Sequence, residues 1–524
     1  GQLDPGVILY LLEAEGMDAA GISDLLYKRS GLLGLSGLSN DLRVLEAAAA
    51  DGHERAARAL RHFALRAARE IAGMAALIGG ALTSAIALAV TVLLLALGGW
   101  MAQRIEAPTE IQPNEALVLA AGAFLLTPVA MIWPLSAYGL APLDAWFEAV
   151  SAVTTTGLST IEAPERQPWA LLVTRSWMQW YGGLGFAALC VVMLVPHGLV
   201  ARRLLEPTGA SESNIPSMIG HARRLFAIYV AITLTGFLAL WAVEGNGLRA
   251  LIHILSGVST GGFSSLDDSL AGFDRPASAW LLSTVTLLAA ISLPLYLSAA
   301  RGDWRRVFED GELRALVVLT VTISLVLSAI LASGGMSPLI AVKQAVFLGI
   351  SAQTTSGFTG LEPSALPDAA KWTSILSMTI GGSIGSTAGG IKLLRLLVLL
   401  TVIQLLIRRM GLPRHAVAEP RLNGRPLDTD EMLHILVVPT LFLLVVTASL
   451  VPFLLHGYAP LDALFEVVSA TGTVGLTTGI TSSELPTFLK TVLAFDMLAG
   501  RMEFIALLVV LSPHTWFGRR YKST

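Results

Sequence analysis

From about residue 76 onward the chain alternates long apolar runs with short polar connections, whereas residues 1 to 74 scatter Asp, Glu and Arg among their apolar positions. A helix needs about 20 mostly apolar residues to cross the hydrocarbon core of a bilayer. Runs of that length stand near 76–101, 117–139, 170–196, 225–244, 277–299, 314–333, 371–407, 433–456 and 485–513, and each is expected to cross as a helix. Gly and Pro interrupt several of them, which membrane helices tolerate where neighbours satisfy the freed backbone groups. The change of pattern near residue 74 predicts a domain boundary there.

Four segments between these runs are too short or too polar to cross, and a search for internal repeats shows that they are versions of one another. They read Ser-Ala-Val-Thr-Thr-Thr-Gly-Leu from Ser151, Ser-Gly-Val-Ser-Thr-Gly-Gly-Phe from Ser256, Ser-Ala-Gln-Thr-Thr-Ser-Gly-Phe from Ser351 and Ser-Ala-Thr-Gly-Thr-Val-Gly-Leu from Ser469. In each, a Ser stands six residues before a Gly (Gly157, Gly262, Gly357 or Gly475), and a Leu or Phe follows that Gly. The first and last copies extend upstream, where Ala-Pro-Leu-Asp-Ala-Trp-Phe-Glu-Ala-Val from Ala141 matches Ala-Pro-Leu-Asp-Ala-Leu-Phe-Glu-Val-Val from Ala459 at all but two positions. The expected fold is therefore an all-α polytopic membrane protein built from four pseudo-repeats around one central pore. Each repeat is a helix, a short pore helix, a loop and a second helix. Their expected bounds are 111–205, 206–305, 306–425 and 426–524, with one extra membrane helix in 75–110.

Irregular backbone at membrane depth is affordable only where it is buried in protein or lines water. Gly permits backbone angles that turn carbonyls inward, and a ring of carbonyl oxygens replaces the hydration shell of a weakly hydrated cation. A divalent site would bring carboxylates into the loops, and the first and last loops hold none. Asp144, Glu148, Asp462 and Glu466 precede those loops and read as helix-start and packing residues, with attraction of cations as the alternative. The stretch from Gly381 through Lys392 holds five Gly, two Ser and one Thr. Such a composition is costly inside a helix, so the run at 371–407 should break there, unless the small residues serve a close helix crossing. Arg501 lies inside an apolar run, where a charge is a functional candidate. Its pairing with Glu503 is disfavoured because residues two apart face different sides of a helix.

Composition narrows the classes. Hydrophobic residues make up 54% and charged residues 14%, against about 25% charged in soluble proteins, which excludes a water-soluble globular fold for most of the length. Lys and Arg number 35 against 38 Asp and Glu, leaving no basic field for nucleic acid. The single cysteine, Cys190, excludes a disulfide framework, and its apolar setting makes it a lipid-facing or core residue. The nine His offer no ligand cluster, with His53, His62, His253 and His415 reading as solvated or interfacial. No signal-peptide pattern precedes the body and the sequence opens on Gly1, so the natural start is expected to be missing or cut. Arg202, Arg203, Arg223 and Arg224 flank one loop, Arg301, Arg305 and Arg306 a second, and Arg408, Arg409 and Arg414 a third. The positive-inside rule places these loops, and the C-terminal Arg519, Arg520 and Lys522, in the cytoplasm, so the Gly loops open outward.

The four loops, Trp177-Met178-Gln179-Trp180-Tyr181-Gly182-Gly183-Leu184-Gly185, the Gly381–Lys392 stretch and Gly500-Arg501-Met502-Glu503 together resemble the Trk/Ktr/HKT superfamily of potassium transporters. The resemblance covers about residues 76–524. It implies a multi-pass protein of the cytoplasmic (inner) membrane that takes up potassium, forms a homodimer and sits on a cytosolic ring of nucleotide-binding regulatory subunits. It implies a selectivity filter made by the carbonyls of Thr155, Thr156, Gly157, Thr260, Gly261, Gly262, Thr355, Ser356, Gly357, Thr473, Val474 and Gly475, with Gly at all four key positions favouring potassium. It further implies an intramembrane gating loop comprising Gly381, Gly382, Ser383, Gly385, Ser386, Thr387, Gly389 and Gly390, with Arg501 facing the pore beside it. Lys392 reads equally as a gating contact or as the cytoplasmic end of a helix, with Arg395 beside it. No dinucleotide or phosphate-loop motif is placed on this chain, so no cofactor is expected in it and nucleotide regulation would come from a partner.

Residues 1 to about 78 are different. Asp4-Pro5-Gly6-Val7-Ile8-Leu9-Tyr10-Leu11-Leu12, Tyr27-Lys28-Arg29-Ser30-Gly31-Leu32-Leu33-Gly34-Leu35-Ser36-Gly37 and Ser39-Asn40-Asp41-Leu42-Arg43 resemble an interior piece of acetate kinase, an α/β enzyme that phosphorylates acetate. The resemblance implies that the phosphate-binding and acid-base residues lie outside this piece, and phosphoryl transfer needs them pre-organised around the phosphate. The segment is therefore expected to be non-catalytic, either a vestige of a fusion or an artefact, standing where a first membrane helix would be. One helix before the first repeat would put it outside the cell, whereas Arg55, Arg58, Arg61, Arg66 and Arg69 argue for inside. Two other readings are a membrane-tethered kinase, for which one span would suffice, and a sodium- or proton-coupled secondary transporter, whose repeats should be inverted.

Overall fold

The computed structural model describes residues 5–25, 30–77, 82–102, 113–197, 215–410, 421–422, 425–426 and 429–517. Among them the chain is helical, apart from a two-residue antiparallel pair joining Arg421–Leu422 to Arg425–Pro426. Backbone contacts divide it into two units, Gly1–Glu110 and Ile111–Thr524.

In the first unit, four short helices, Pro5–Glu13, Ala19–Asp24, Gly31–Ser36 and Leu42–Ala50, precede a long one at Glu54–Leu77 and an apolar one at Leu82–Ala102. Asp18 and Asp41 cap their helices by accepting from Gly21 N and Arg43 N, which supplies a partner for backbone donors that a helix start leaves open. Leu45, Ala56 and Ala59 form its small buried core.

The second unit repeats one motif four times. The long helices Pro113–Ser136, Ile215–Glu244, Gly311–Ser333 and Thr429–Leu455 each lead to a shorter one at Pro142–Val153, Gly247–Val258, Pro338–Thr354 and Pro460–Thr471. Three of the short helices place Pro in their first turn, where the missing N–H costs nothing; the other is capped by Asn246. After each loop comes the second helix of the repeat: Trp169–His197, Pro276–Ala289, Asp368–Ile380 or Thr487–Arg501.

Of the nine runs, the one at 371–407 breaks as its composition predicts, and the expectation that the others are each one continuous helix needs correction. Among the described residues four helices are long and apolar enough to cross, Leu117–Ser136, Arg223–Glu244, Gly311–Ser333 and Leu436–Leu455, and these are the first helices of the four repeats. The run at 277–299 bends by 91° between Pro276–Ala289 and Leu293–Ala300. The run at 371–407 stops at Ile380 and resumes at Leu393, and the run at 485–513 breaks between Arg501 and Ile505. Composition announces the break at 381–392, and Pro294 in the first turn of Leu293–Ala300 marks the bend before it. In the last repeat, the left-handed φ of 52° at Glu503 and 59° at Phe504 carries no Gly or Pro to signal it.

Among the residues singled out from sequence, Lys28, Arg29, Arg202, Arg203, Arg414, His415, Arg519, Arg520 and Lys522 lie outside the described residues, as does the side chain of Cys190. His253 is buried rather than interfacial. Its ring nitrogens meet Arg249 O at 2.8 Å and Ser264 Oγ at 3.1 Å, and its ring lies 4.7 Å from that of Phe273.

Candidate functional site

The four Gly loops meet. A Cβ built on Gly157 would run into the carbonyl oxygen of Gly261, one on Gly262 into that of Ser356, one on Gly357 into that of Val474, and one on Gly475 into that of Thr156. Each glycine thus abuts the carbonyl that precedes the corresponding glycine in the next repeat, and the fourth returns to the first. The contacts form a closed ring of four peptide segments, ordered 1-2-3-4.

Local backbone geometry is the same in every loop. Thr155, Thr260, Thr355 and Thr473 have φ of 54°, 53°, 54° and 51°, and the glycines two residues later have φ of 94°, 81°, 71° and 90°. A β-branched residue in the left-handed region is an outlier costing about 1–2 kcal/mol, so the surroundings must hold four such residues in place. The repeated Ser does part of this: Ser151 Oγ and Ser469 Oγ accept from Gly157 N and Gly475 N, both at 3.1 Å. The apolar residue after each glycine anchors the loop, with Leu158, Phe263, Phe358 and Leu476 all buried.

The carboxylates before the first and last loops brace the chain just beyond the ring. Buried Glu148 accepts from Ser159 Oγ at 2.8 Å and Thr160 N at 2.6 Å and pairs with Arg175 at 2.8 Å. Glu466 accepts from Thr477 Oγ at 2.8 Å, from Thr478 N and Thr481 N at 3.0 Å, and from Thr481 Oγ. These partners fit packing residues. The two Asp residues join neighbouring repeats instead, Lys490 Nζ reaching Asp144 at 2.5 Å and Lys371 Nζ reaching Asp462 at 2.6 Å. Glu165 and Asp267 exchange backbone-to-carboxylate bonds of 3.0 and 3.4 Å between repeats 1 and 2, and Leu270 N donates to Thr359 O at 2.9 Å between repeats 2 and 3.

The segment from Gly381 to Lys392 lies against this ring. Gly389 N donates to Thr355 Oγ at 2.6 Å, Gly390 N to Gly472 O at 3.0 Å, and Thr387 Oγ to Val258 O at 3.0 Å, so it touches the ends of three short helices. Ser383 N donates to Ala290 O at 3.1 Å and Leu293 N to Gly385 O at 3.0 Å, tying it to the bend of repeat 2. Buried Arg501 donates to Thr387 O at 2.9 Å and to Gly182 O at 3.5 Å. Glu503 pairs with Arg395, on the helix that resumes at Leu393. Lys392 is buried with a φ of 81°, and its Nζ donates to Ala388 O. It is thus a contact of this segment rather than a solvated helix end.

Sequence reasoning passed over several residues. Gln179, within the Trp177–Gly185 motif, carries no role by sequence, and it is buried against the second loop. Gln353 donates to Gly381 O at 2.7 Å and accepts from Ser377 Oγ at 2.9 Å, fixing the start of the Gly-rich segment. Asp496 is buried among apolar neighbours, with one oxygen bound by Ser449 Oγ at 2.6 Å and the other without a hydrogen-bond partner. A carboxylate in an apolar run was the available signal for Asp496. For the glutamines there was none.

Comparison with known proteins agrees with this architecture. The sequence model of the TrkH family, described as cation transport protein, matches residues 84–516, and that of the acetokinase family matches residues 1–90. An uncharacterized cation transporter of Methanocaldococcus jannaschii is 28% identical over 79% of this chain and 85% of its own length. The Trk system potassium uptake protein TrkH of Escherichia coli is 29% identical over 71% of this chain and 79% of its own. A crystal structure of the potassium transporter TrkH from Vibrio parahaemolyticus superposes with a TM-score of 0.76 at 26% identity, covering 87% of this chain and 97% of that one. With four loops closed into one ring and a family match over most of its length, this chain is a multi-pass membrane protein belonging to the TrkH family of cation transport proteins.

Proposed function

We propose that the chain takes up potassium across the cytoplasmic membrane through the ring at Gly157, Gly262, Gly357 and Gly475. The observation that carries this reading is the closed cycle in which each glycine abuts a carbonyl of the next repeat. Neutral oxygens arranged around one axis suit a monovalent cation that sheds its water at modest cost. Among monovalent ions, potassium is the choice supported by relatives named as potassium uptake proteins. Thr155, Thr156, Thr260, Gly261, Thr355, Ser356, Thr473 and Val474 supply the remaining filter backbone.

The Gly-rich segment is the gate in this reading. Gly381, Gly382, Ser383, Gly385, Ser386, Thr387, Gly389 and Gly390 run directly against the ends of the short helices, and Arg501 and Lys392 hold carbonyls of that segment. Opening requires those bonds to be exchanged for others. The repeat bounds 111–205, 206–305, 306–425 and 426–524 belong to the same proposal, as do a homodimeric assembly and a cytosolic nucleotide-binding regulatory partner. Residues 1–74 act as a non-catalytic appendage to a helix in 75–110.

Growth of a potassium-uptake-deficient bacterium at limiting potassium tests the reading. The full chain should restore growth, and Gly157→Ser and Gly475→Ser should lower potassium preference over sodium, since an added side chain meets a carbonyl of the adjacent repeat. Rescue with unchanged selectivity in both variants would remove the ring from the transport path.

A further inference from the structure

The ring is not fourfold at one point. The residue before the key glycine carries a buried side chain in three loops, Thr156, Ser356 and Val474, but in the second loop it is Gly261. The space that a side chain would take there is filled from another repeat. A Cβ on Gly261 would meet the Cδ, Nε2 and Oε1 atoms of Gln179, which stands on the helix Trp169–His197 of repeat 1.

Gln179 is fully buried, and its amide straddles Gly262. Nε2 donates to the carbonyl of Gly261, and Oε1 accepts from Phe263 N at 3.3 Å. The same helix holds this loop at two further points: Arg175 lies 3.8 Å from the centre of the Phe263 ring, and Ser256 Oγ donates to Ser176 Oγ at 3.1 Å. The Gly261 carbonyl is the one that abuts Gly157. A carbonyl oxygen has two lone pairs, so it can accept from Gln179 and still face an ion.

We propose that Gln179 is a positioning residue for ion selection, replacing the missing side chain at Gly261 and fixing the orientation of that carbonyl in the ring. This rests on the filter reading above. The donor polarises one of the four ring carbonyls and restrains its rotation, so that this carbonyl meets the ion differently from those preceding Gly157, Gly357 and Gly475. Gly261 and Gln179 are a matched pair, because a side chain at 261 is admissible only when the one at 179 is withdrawn.

The test is cation uptake by the full chain reconstituted in liposomes, with sodium competing against potassium. Gln179→Leu removes both bonds, and it should lower the preference for potassium by about two- to tenfold, the range that one hydrogen bond spans. Gln179→Glu keeps the shape and the acceptor for Phe263 N but loses the donor to Gly261 when ionised, and it should show the same loss. Gly261→Ala alone should displace the Gln179 amide and lower the preference for potassium as Gln179→Leu does, and adding Gln179→Ala should bring no further loss. An unchanged ratio in Gln179→Leu, or in Gln179→Glu if the Leu variant fails to reach the membrane, overturns the proposal. Gly475→Ser, in a loop Gln179 does not touch, separates the two readings. If it shifts the ratio while the Gln179 variants do not, only the Gln179 role fails. If neither shifts, the filter reading fails.

Discussion

At the residue scale, the buried charges near the ring are held by specific partners, and their removal should be felt as instability. Glu148 accepts from Ser159 and Thr160 and pairs with Arg175, with both charged side chains almost wholly buried. Removing one member of a buried pair leaves the other uncompensated, at a typical cost of 3–5 kcal/mol. Glu148→Ala is therefore expected to lower the thermal midpoint in detergent sharply. Glu148→Gln should lower it less, because the amide oxygen still accepts from the loop. The four left-handed threonines point the same way, since a conformation unfavourable at each site survives only where packing and hydrogen bonds over-determine it.

At the scale of elements, the second helices of repeats 2, 3 and 4 are interrupted, and the interruptions are bonded to one another. The Gly-rich segment binds the bend at Ala290, Arg501 binds Thr387, and Arg395 binds Glu503. A Cβ at Gly389 would strike Gly472 O and Thr473 Oγ, so Gly389→Ala should push the segment off the short helix of repeat 4 and alter uptake, measured as rubidium flux, without removing the protein from the membrane. Glu503→Gln should weaken the tie between the two broken helices and change flux at constant expression. Unaltered flux in both variants would leave the segment without a role in gating.

At the scale of the whole molecule, the repeats are joined in a circle by contacts between chain-distant residues. Lys490 and Asp144 close it, uniting the last repeat with the first. Lys490→Glu should destabilise the protein, and adding Asp144→Lys should restore part of the loss; additivity of the two changes, measured by thermal unfolding, would show that the pair contributes nothing. The acetokinase-like match ends at residue 90 and the TrkH match begins at residue 84. A chain of residues 75–524 is expected to support potassium-limited growth as well as the full chain does, and failure of the shorter chain at equal membrane expression would give the first segment a structural part in transport.

Much of this was legible in the chain alone. The apolar runs, the fourfold recurrence of Ser six residues before Gly and the Gly-rich stretch at 381–392 were enough for a pseudo-fourfold membrane protein, because a bilayer allows few backbone solutions and each repeat restates the pattern. What the tertiary structure decided is local and relational. The break at 502–504 holds no Gly or Pro, so long-range contacts rather than local propensity stop that helix, whereas Pro294 in the first turn of Leu293–Ala300 marks the bend at 290–292. Lys392, ambiguous by position, became a contact of the Gly-rich segment because its amine reaches Ala388 O. Glu503 found Arg395 on the helix that resumes at Leu393, and Gln179 found Gly261 in the next repeat. Sequence carries periodicity and composition along one chain, whereas these partners are chosen by where the closed ring brings distant segments together.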